Sequence, residues 1–177
     1  MRVFAAVVDE AKGRNEALLD GDFYFKWGAA AEQAGQVEKA AELLRKSIAL
    51  NPEAPEAYNY LGYMWVDTGQ NVEEAGQLIR KAVEISPENG AYLDSLGWYY
   101  FKAEKFVDAK KQLLAAIDRL TEPDPVVYDH LADACERLGQ LGEAIQYWEQ
   151  ALKLKAESPG RIQQKIDAAR QKQAEAK

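Results

Sequence analysis

The sequence predicts an all-α chain, an α-solenoid of four helix–turn–helix units with one further helix at each end. Three observations carry that prediction. A small residue recurs in register: Gly28, Gly62, Gly97 and Ala132 stand 34, 35 and 35 residues apart. Two more rows keep the same beat, Ala40, Ala75, Ala109 and Ala144, then Ser47, Ala82, Ala116 and Ala151, each spaced 35, 34 and 35. Between the rows the apolar residues fall at helical intervals. Tyr58, Leu61, Gly62 and Trp65 sit at i, i+3, i+4 and i+7, and so do Ala75, Leu78, Ile79 and Ala82, one stripe on each helix. A fixed period of about 20–50 residues marks a solenoid rather than a single-core domain.

The elements follow in order. Residues 1–20 place Phe4, Val7, Val8 and Ala11 on one side of an expected helix but lack the small-residue frame, so they form either the second helix of a truncated repeat or a cap. The four units span residues 21–54, 55–89, 90–124 and 125–158. Their second helices should stop at Asn51-Pro52, at Ser86-Pro87 and at TEPDP (121–125), because a residue before proline is pushed out of the helical region. Pro55 and Pro125 suit a first helical turn, where a missing N–H costs nothing. The extra residues lie in turns: Gly69 to Ala75 is one residue longer than Gly35 to Ala40, and the other addition falls between Ala116 and Ala132. Residues 159–177 form a closing helix and tail, with Ile162, Ile166 and Ala169 along the face that would cover the last unit.

The recurring glycine demands a reason, since a glycine inside a helix costs about 1 kcal/mol relative to alanine. The compensation expected is the close approach of another helix. The large residue before it (Trp27, Leu61, Leu96 or Leu131) plugs a neighbouring groove, and the alanines of the second helix complete the contact. On this reading the glycine lock joins successive hairpins.

This order of small and large residues resembles the tetratricopeptide repeat (TPR), and the chain is similar to bacterial TPR-domain proteins. The second unit shows the signature as Tyr58, Leu61-Gly62, Trp65, Ala75, Ile79, Ala82 and Pro87. The third shows Leu93, Leu96-Gly97, Tyr100, Ala109, Leu113 and Ala116, with Thr121 where proline is usual. The fourth shows Tyr128, Leu131-Ala132, Cys135, Ala144, Trp148 and Ala151, with Ala156 at the proline place. The first shows Tyr24, Trp27-Gly28, Ala31, Ala40, Leu44, Ser47 and Pro52. The resemblance implies a right-handed superhelix of helix pairs whose first helices line a concave groove that binds peptides or protein segments.

Composition narrows the function. A formal charge of −7 leaves no basic face to release counterions from a nucleic acid, so none is expected as a partner. No run of about 18 apolar residues exists to insert in a membrane. The opening MRVFAAVVDE has a short apolar core broken by Asp9 and Glu10, so no cleavable leader is expected in this chain. The compartment stays open between the cytoplasm and, for a domain excised from a longer protein, the cell envelope. With one histidine, His130, and one cysteine, Cys135, neither a multi-histidine nor a cysteine-based zinc site can be built, and no phosphate loop or nucleophile elbow appears. Neither cofactor nor catalysis is expected; His130 reads as a packing or helix-surface residue and Cys135 as a buried, inert thiol.

A binding site remains. If the family geometry holds, the groove-facing rows are Phe25, Asn59, Asp94 and Asp129, then Ala29, Tyr63, Trp98 and Asp133, then Glu32, Val66, Phe101 and Glu136. Candidate partner-binding residues are therefore Asn59, Tyr63, Asp94, Trp98, Phe101, Asp129, Asp133 and Glu136. Acids flanking aromatics suit a basic or amphipathic segment, steered by the carboxylates and laid over the rings. The bland alternative is that the acids form a solvated face and the aromatics cover the next helix. Trp27, Trp65 and Trp148 fall at core places. The lysine, asparagine and arginine clamp by which related repeats hold chaperone C-termini is missing, since those places read Phe25, Ala29, Tyr60, Ala91 and Ser95. Self-assembly is the alternative function. The side chains from Arg161 onward balance to +3, and such a tail could enter a neighbour's acidic groove. An enzyme accessory domain of a longer chain is the distant one.

Overall fold

The computed structural model describes Phe4 and residues 18–175. Among these, nine α-helices and no strands are found. The stripe of Val7, Val8 and Ala11, and with it the helix expected over residues 1–20, lies outside the described residues. The chain divides into two compact bodies, Met1–Ile85 and Ser86–Lys177.

The first body holds α1 (Gly21–Gln33), α2 (Val37–Leu50), α3 (Pro55–Thr68) and α4 (Val72–Ile85). Asp20 starts α1 by accepting the Phe23 N–H at 2.8 Å, satisfying one of the donors a helix start leaves over. Pro55 opens α3 in its first turn, and α2 and α4 stop at Leu50 and Ile85, just before the two expected proline breaks. Each pair, α1 with α2 and α3 with α4, packs as a hairpin, and α2 also packs on α3. The core lies inside and between the hairpins: Tyr24, Ala31, Leu44, Leu61, Trp65, Ala75 and Ile79 are all buried.

The second body holds α5 (Gly90–Lys102), α6 (Phe106–Arg119), α7 (Pro125–Arg137), α8 (Leu141–Lys153) and α9 (Pro159–Glu175). Asn89 caps α5 and Asp124 caps α7, with Pro125 in the first turn. Two hairpins, α5–α6 and α7–α8, pack through α6 and α7, and α9 lies on α8. Ile162, Ile166 and Ala169 are the residues α9 buries, the stripe expected of a closing helix.

The four small frame positions are all buried, but the glycine contact differs from the expectation. A Cβ added to Gly28 would come within 2.8 Å of Leu44, one at Gly62 within 2.6 Å of Ile79, and one at Gly97 within 2.6 Å of Leu113. Each contacted residue belongs to the second helix of the same hairpin. The lock therefore closes a hairpin on itself and does not join successive hairpins. The reason is geometric: helices joined by a tight turn run side by side from the turn onward, so their backbones come nearest there. In the fourth hairpin alanine and Trp148 replace the glycine and the branched aliphatic residue, and both are fully buried.

A further row of residues lies in the turns between paired helices. Gly35, Glu104 and Gly139, together with Gly69, the C-cap of α3, have φ of 73, 59, 74 and 70° respectively. A left-handed residue ends a helix by turning its last N–H groups back onto orphaned carbonyls. Glu104 is the only one of the four with a side chain, and it adopts a conformation that glycine takes without cost.

Two outcomes are expected. Gly62→Ala should cost more stability than Gly97→Ala, both within about 1–3 kcal/mol, because the new methyl at 62 also meets the Ala75 carbonyl at 2.9 Å, whereas at 97 the nearest atoms belong to a leucine side chain. Glu104→Gly should stabilise by about 0.5–1 kcal/mol, by relieving the left-handed strain. Urea unfolding of the three variants measures both.

Candidate functional site

In the first body, Asn59 and Tyr63 lie half-buried on α3, one helical turn apart. The Asn59 Oδ1 is buried without a hydrogen-bond partner. Beside them the Tyr60 hydroxyl donates to Glu32 at 3.1 Å and its ring meets Phe25 edge-on at 5.7 Å. Burial, helped by Glu32, pushes the Tyr60 phenol up to about 12, so it stays a donor. Val66, placed in the groove row by the sequence, is fully buried.

In the second body the remaining six candidates form two groups. Asp94, Trp98 and Phe101 gather around His130. The Asp94 carboxylate lies 2.9 Å from His130 Nδ1, and both residues are under a tenth exposed. Trp98 stacks on His130 with centroids 4.0 Å apart and on Phe101 at 4.8 Å, and Lys102 lies over its ring at 5.0 Å. Asp94 is thus a buried partner of the histidine rather than an acid flanking an open groove, because the aromatic stack next to it shuts out water. The indole N–H of Trp98 is buried with no acceptor.

Asp129, Asp133 and Glu136 sit at i, i+4 and i+7 on α7, and each is held by α9. Arg161 donates to Asp129 Oδ2 at 2.6 Å. Lys165 donates to Asp129 Oδ1 at 2.7 Å and to both oxygens of Asp133 at 2.6 and 2.8 Å. Lys172 reaches Glu136 at 2.6 Å, and Arg170 reaches Glu149 on α8 at 2.7 Å. The paired numbers rise together, so α7 and α9 run in the same direction. The basic tail that the sequence offered to a neighbouring molecule is bound within its own chain.

Asp133 is the pivot. Burial raises its carboxyl above the ordinary range; Lys165 and the indole N–H of Trp148, 3.0 Å away, pull it back without cancelling the rise. Lys165 also lies 5.7 Å above the Trp148 ring. One ammonium thus bridges two acids, one of which Arg161 also pairs, and covers an indole. The two buried isoleucines of α9 supply about 1.5–3 kcal/mol apiece and hold the helix on the surface without fixing its register. The charges decide how α9 sits.

Cys135 is fully buried, and burial pushes its thiol up to about 11, the environment of an unreactive cysteine. Trp65 and Trp148 are core residues, while Trp27 is half-buried and stacks on Phe4 and Tyr24. Among the described residues no three His, Cys, Asp or Glu side chains group as a metal site, and no helix is long and apolar enough to cross a membrane.

Helical hairpins closed by small residues at 34–35-residue spacing also match known proteins. Residues 25–90 and 125–157 each match the tetratricopeptide repeat family. The chain belongs to that family. TPR repeats are generally non-catalytic scaffolds for protein–protein interaction. Several solved structures share the fold. The pilF protein of Pseudomonas aeruginosa is 23% identical, with a TM-score of 0.74 over 92% of this chain and 72% of its own. A thermophilic TPR protein of Thermus thermophilus is 18% identical, with a TM-score of 0.72 over 95% and 87%. MamA of Desulfovibrio magneticus is 18% identical, with a TM-score of 0.65 over 85% and 89%. Comparison with curated protein sequences finds no match.

The sequence missed the pairing of α7 with α9 although a signal was present. Asp129, Asp133 and Glu136 share one helical face of this TPR chain, and Arg161, Lys165 and Lys172 flank the apolar stripe of another. Lys165→Met should destabilise by about 1–3 kcal/mol at neutral pH, by leaving Asp133 desolvated without its cation. The sign with pH follows from the raised carboxyl. A protonated Asp133 needs no cation, so the penalty should shrink as pH falls from neutral into the acid range and grow as pH rises through the raised folded pKa. Urea unfolding of variant and parent across that range reads the difference; a penalty that grows on acidification contradicts it.

Proposed function

We propose that this TPR protein is a non-catalytic scaffold that takes a basic, amphipathic helical segment of another protein on the faces of its first helices. The observation that supports this reading most is α9 itself. A helix with cations flanking an apolar stripe is already held there by Asp129, Asp133 and Glu136, which fixes the ligand chemistry the surface accepts. Asp94, Trp98 and Phe101 complete the site in the second body by stiffening the wall beside those acids through His130. Asn59 and Tyr63 serve the first body, where they lie half-buried one helical turn apart on α3.

The net charge of −7 works in the same direction at longer range, drawing cationic segments in at low salt. Three labelled helical peptides with one apolar pattern and net positive, neutral or negative charge test the proposal by fluorescence anisotropy. The positive peptide should bind tightest and lose about tenfold in affinity as salt rises from low to physiological strength. Glu136→Lys should weaken that peptide and leave the neutral one unchanged. Equal binding of all three peptides removes the reading, and so does no binding of any of them up to about millimolar concentration.

A further inference from the structure

The surface that holds α9 is the surface the scaffold reading assigns to a partner, and the inference below rests on that reading. We propose that α9 is a resident competitor: a partner helix binds across α7 and α8 by repeating the register of α9 and displacing it. Three features of the structure support an exchangeable helix rather than a permanent cap. Only three of its seventeen residues, Ile162, Ile166 and Ala169, are buried. Its charge contacts all run to acids of α7 and α8, and the side chains of Arg161, Arg170 and Lys172 remain 64, 54 and 57% exposed, so water can replace them one at a time. It is joined to α8 only through residues 154–158, where the Lys155 and Ala156 N–H groups bond back to the Leu152 and Ala151 carbonyls, so the end of α8 is capped without help from α9.

The same contacts specify the partner. Counting from the first buried apolar residue, it needs a cation one place before, a second apolar residue at +4, a small residue at +7, and cations at +3 and +10. These are the places of Arg161, Ile162, Lys165, Ile166, Ala169 and Lys172. The cation at +3 meets Asp129 and Asp133 together and is the most demanding of them. A tether of this length keeps α9 at an effective concentration on the order of millimolar, so a partner in trans meets a site that is almost always filled, and its apparent affinity falls with the open fraction. The resident helix thereby sets a threshold that only a well-matched segment passes.

The test uses the full chain and a labelled synthetic peptide with the sequence of residues 159–175. The variant Arg161→Glu, Lys165→Glu should release α9, seen as loss of amide protection in α9 alone while α5–α8 stay protected. This variant should bind the peptide at least about tenfold more tightly than the parent does. In the unaltered protein, excess peptide should strip protection from α9 and from no other helix, a readout independent of any variant. A peptide with glutamate at the places of Arg161, Lys165 and Lys172 should do neither. Equal affinity of the peptide for variant and parent, or protection of α9 unmoved by excess peptide that is bound, overturns the displacement while leaving the scaffold reading in place. Failure of the peptide to bind even the released variant overturns both.

Discussion

Everything in this molecule depends on how closely two helices of one hairpin can lie. A position without a Cβ faces a branched aliphatic side chain across the pair, and the space for a methyl group is absent at three of the four sites. That one contact sets the distance between the axes, and the distance decides which side chains meet next. Leu44, Ile79 and Leu113 are fully buried because the glycine opposite leaves them a slot. With the slots filled, each hairpin presents its remaining apolar residues outward and must find another element to cover them.

The covering of the last hairpin is where packing and electrostatics join. α9 supplies two isoleucines and an alanine to the apolar edge and cations to the acids beside it. Apolar burial alone would tolerate several registers of a helix on this surface. Lys165 does not, since it must lie between two carboxylates 4 residues apart on α7. The acids in turn depend on it, because a carboxylate as buried as Asp133 is held ionised only by a cation and an indole N–H. Specificity thus comes from charges whose separate contributions to stability are small or unfavourable.

Much of this was legible in the sequence. Rows of small residues gave the hairpins, the proline pairs gave the helix ends within one residue, and the stripe of Ile162, Ile166 and Ala169 gave a closing helix. The site was less legible. Asp94 and Asp129 are alike in the repeat frame, yet one bonds a buried histidine and the other two cations of α9, because the repeat places backbones equivalently while the neighbours at each place differ. His130 occupies the slot of Tyr60 and Ser95, and nothing in that slot announces a stack with Trp98. The sense of the glycine contact was also hidden: spacing shows that a helix must come near, and only three-dimensional arrangement shows which one. The left-handed conformation of Glu104 has no sign in the sequence, because a glutamate stands where the equivalent turns have glycine.

The fourth hairpin carries one more consequence. Where the other hairpins use a branched aliphatic residue, this one buries Trp148, whose ring edge bonds the acid under α9 and whose face lies beneath Lys165. The chain has therefore built an optical gauge into its own last joint. When the ammonium leaves and solvent reaches the carboxylate, the dipolar surroundings of the indole change, and its emission colour and quantum yield change with them. With Trp27, Trp65 and Trp98 replaced by phenylalanine, the emission of Trp148 alone would follow the seating of the terminal helix.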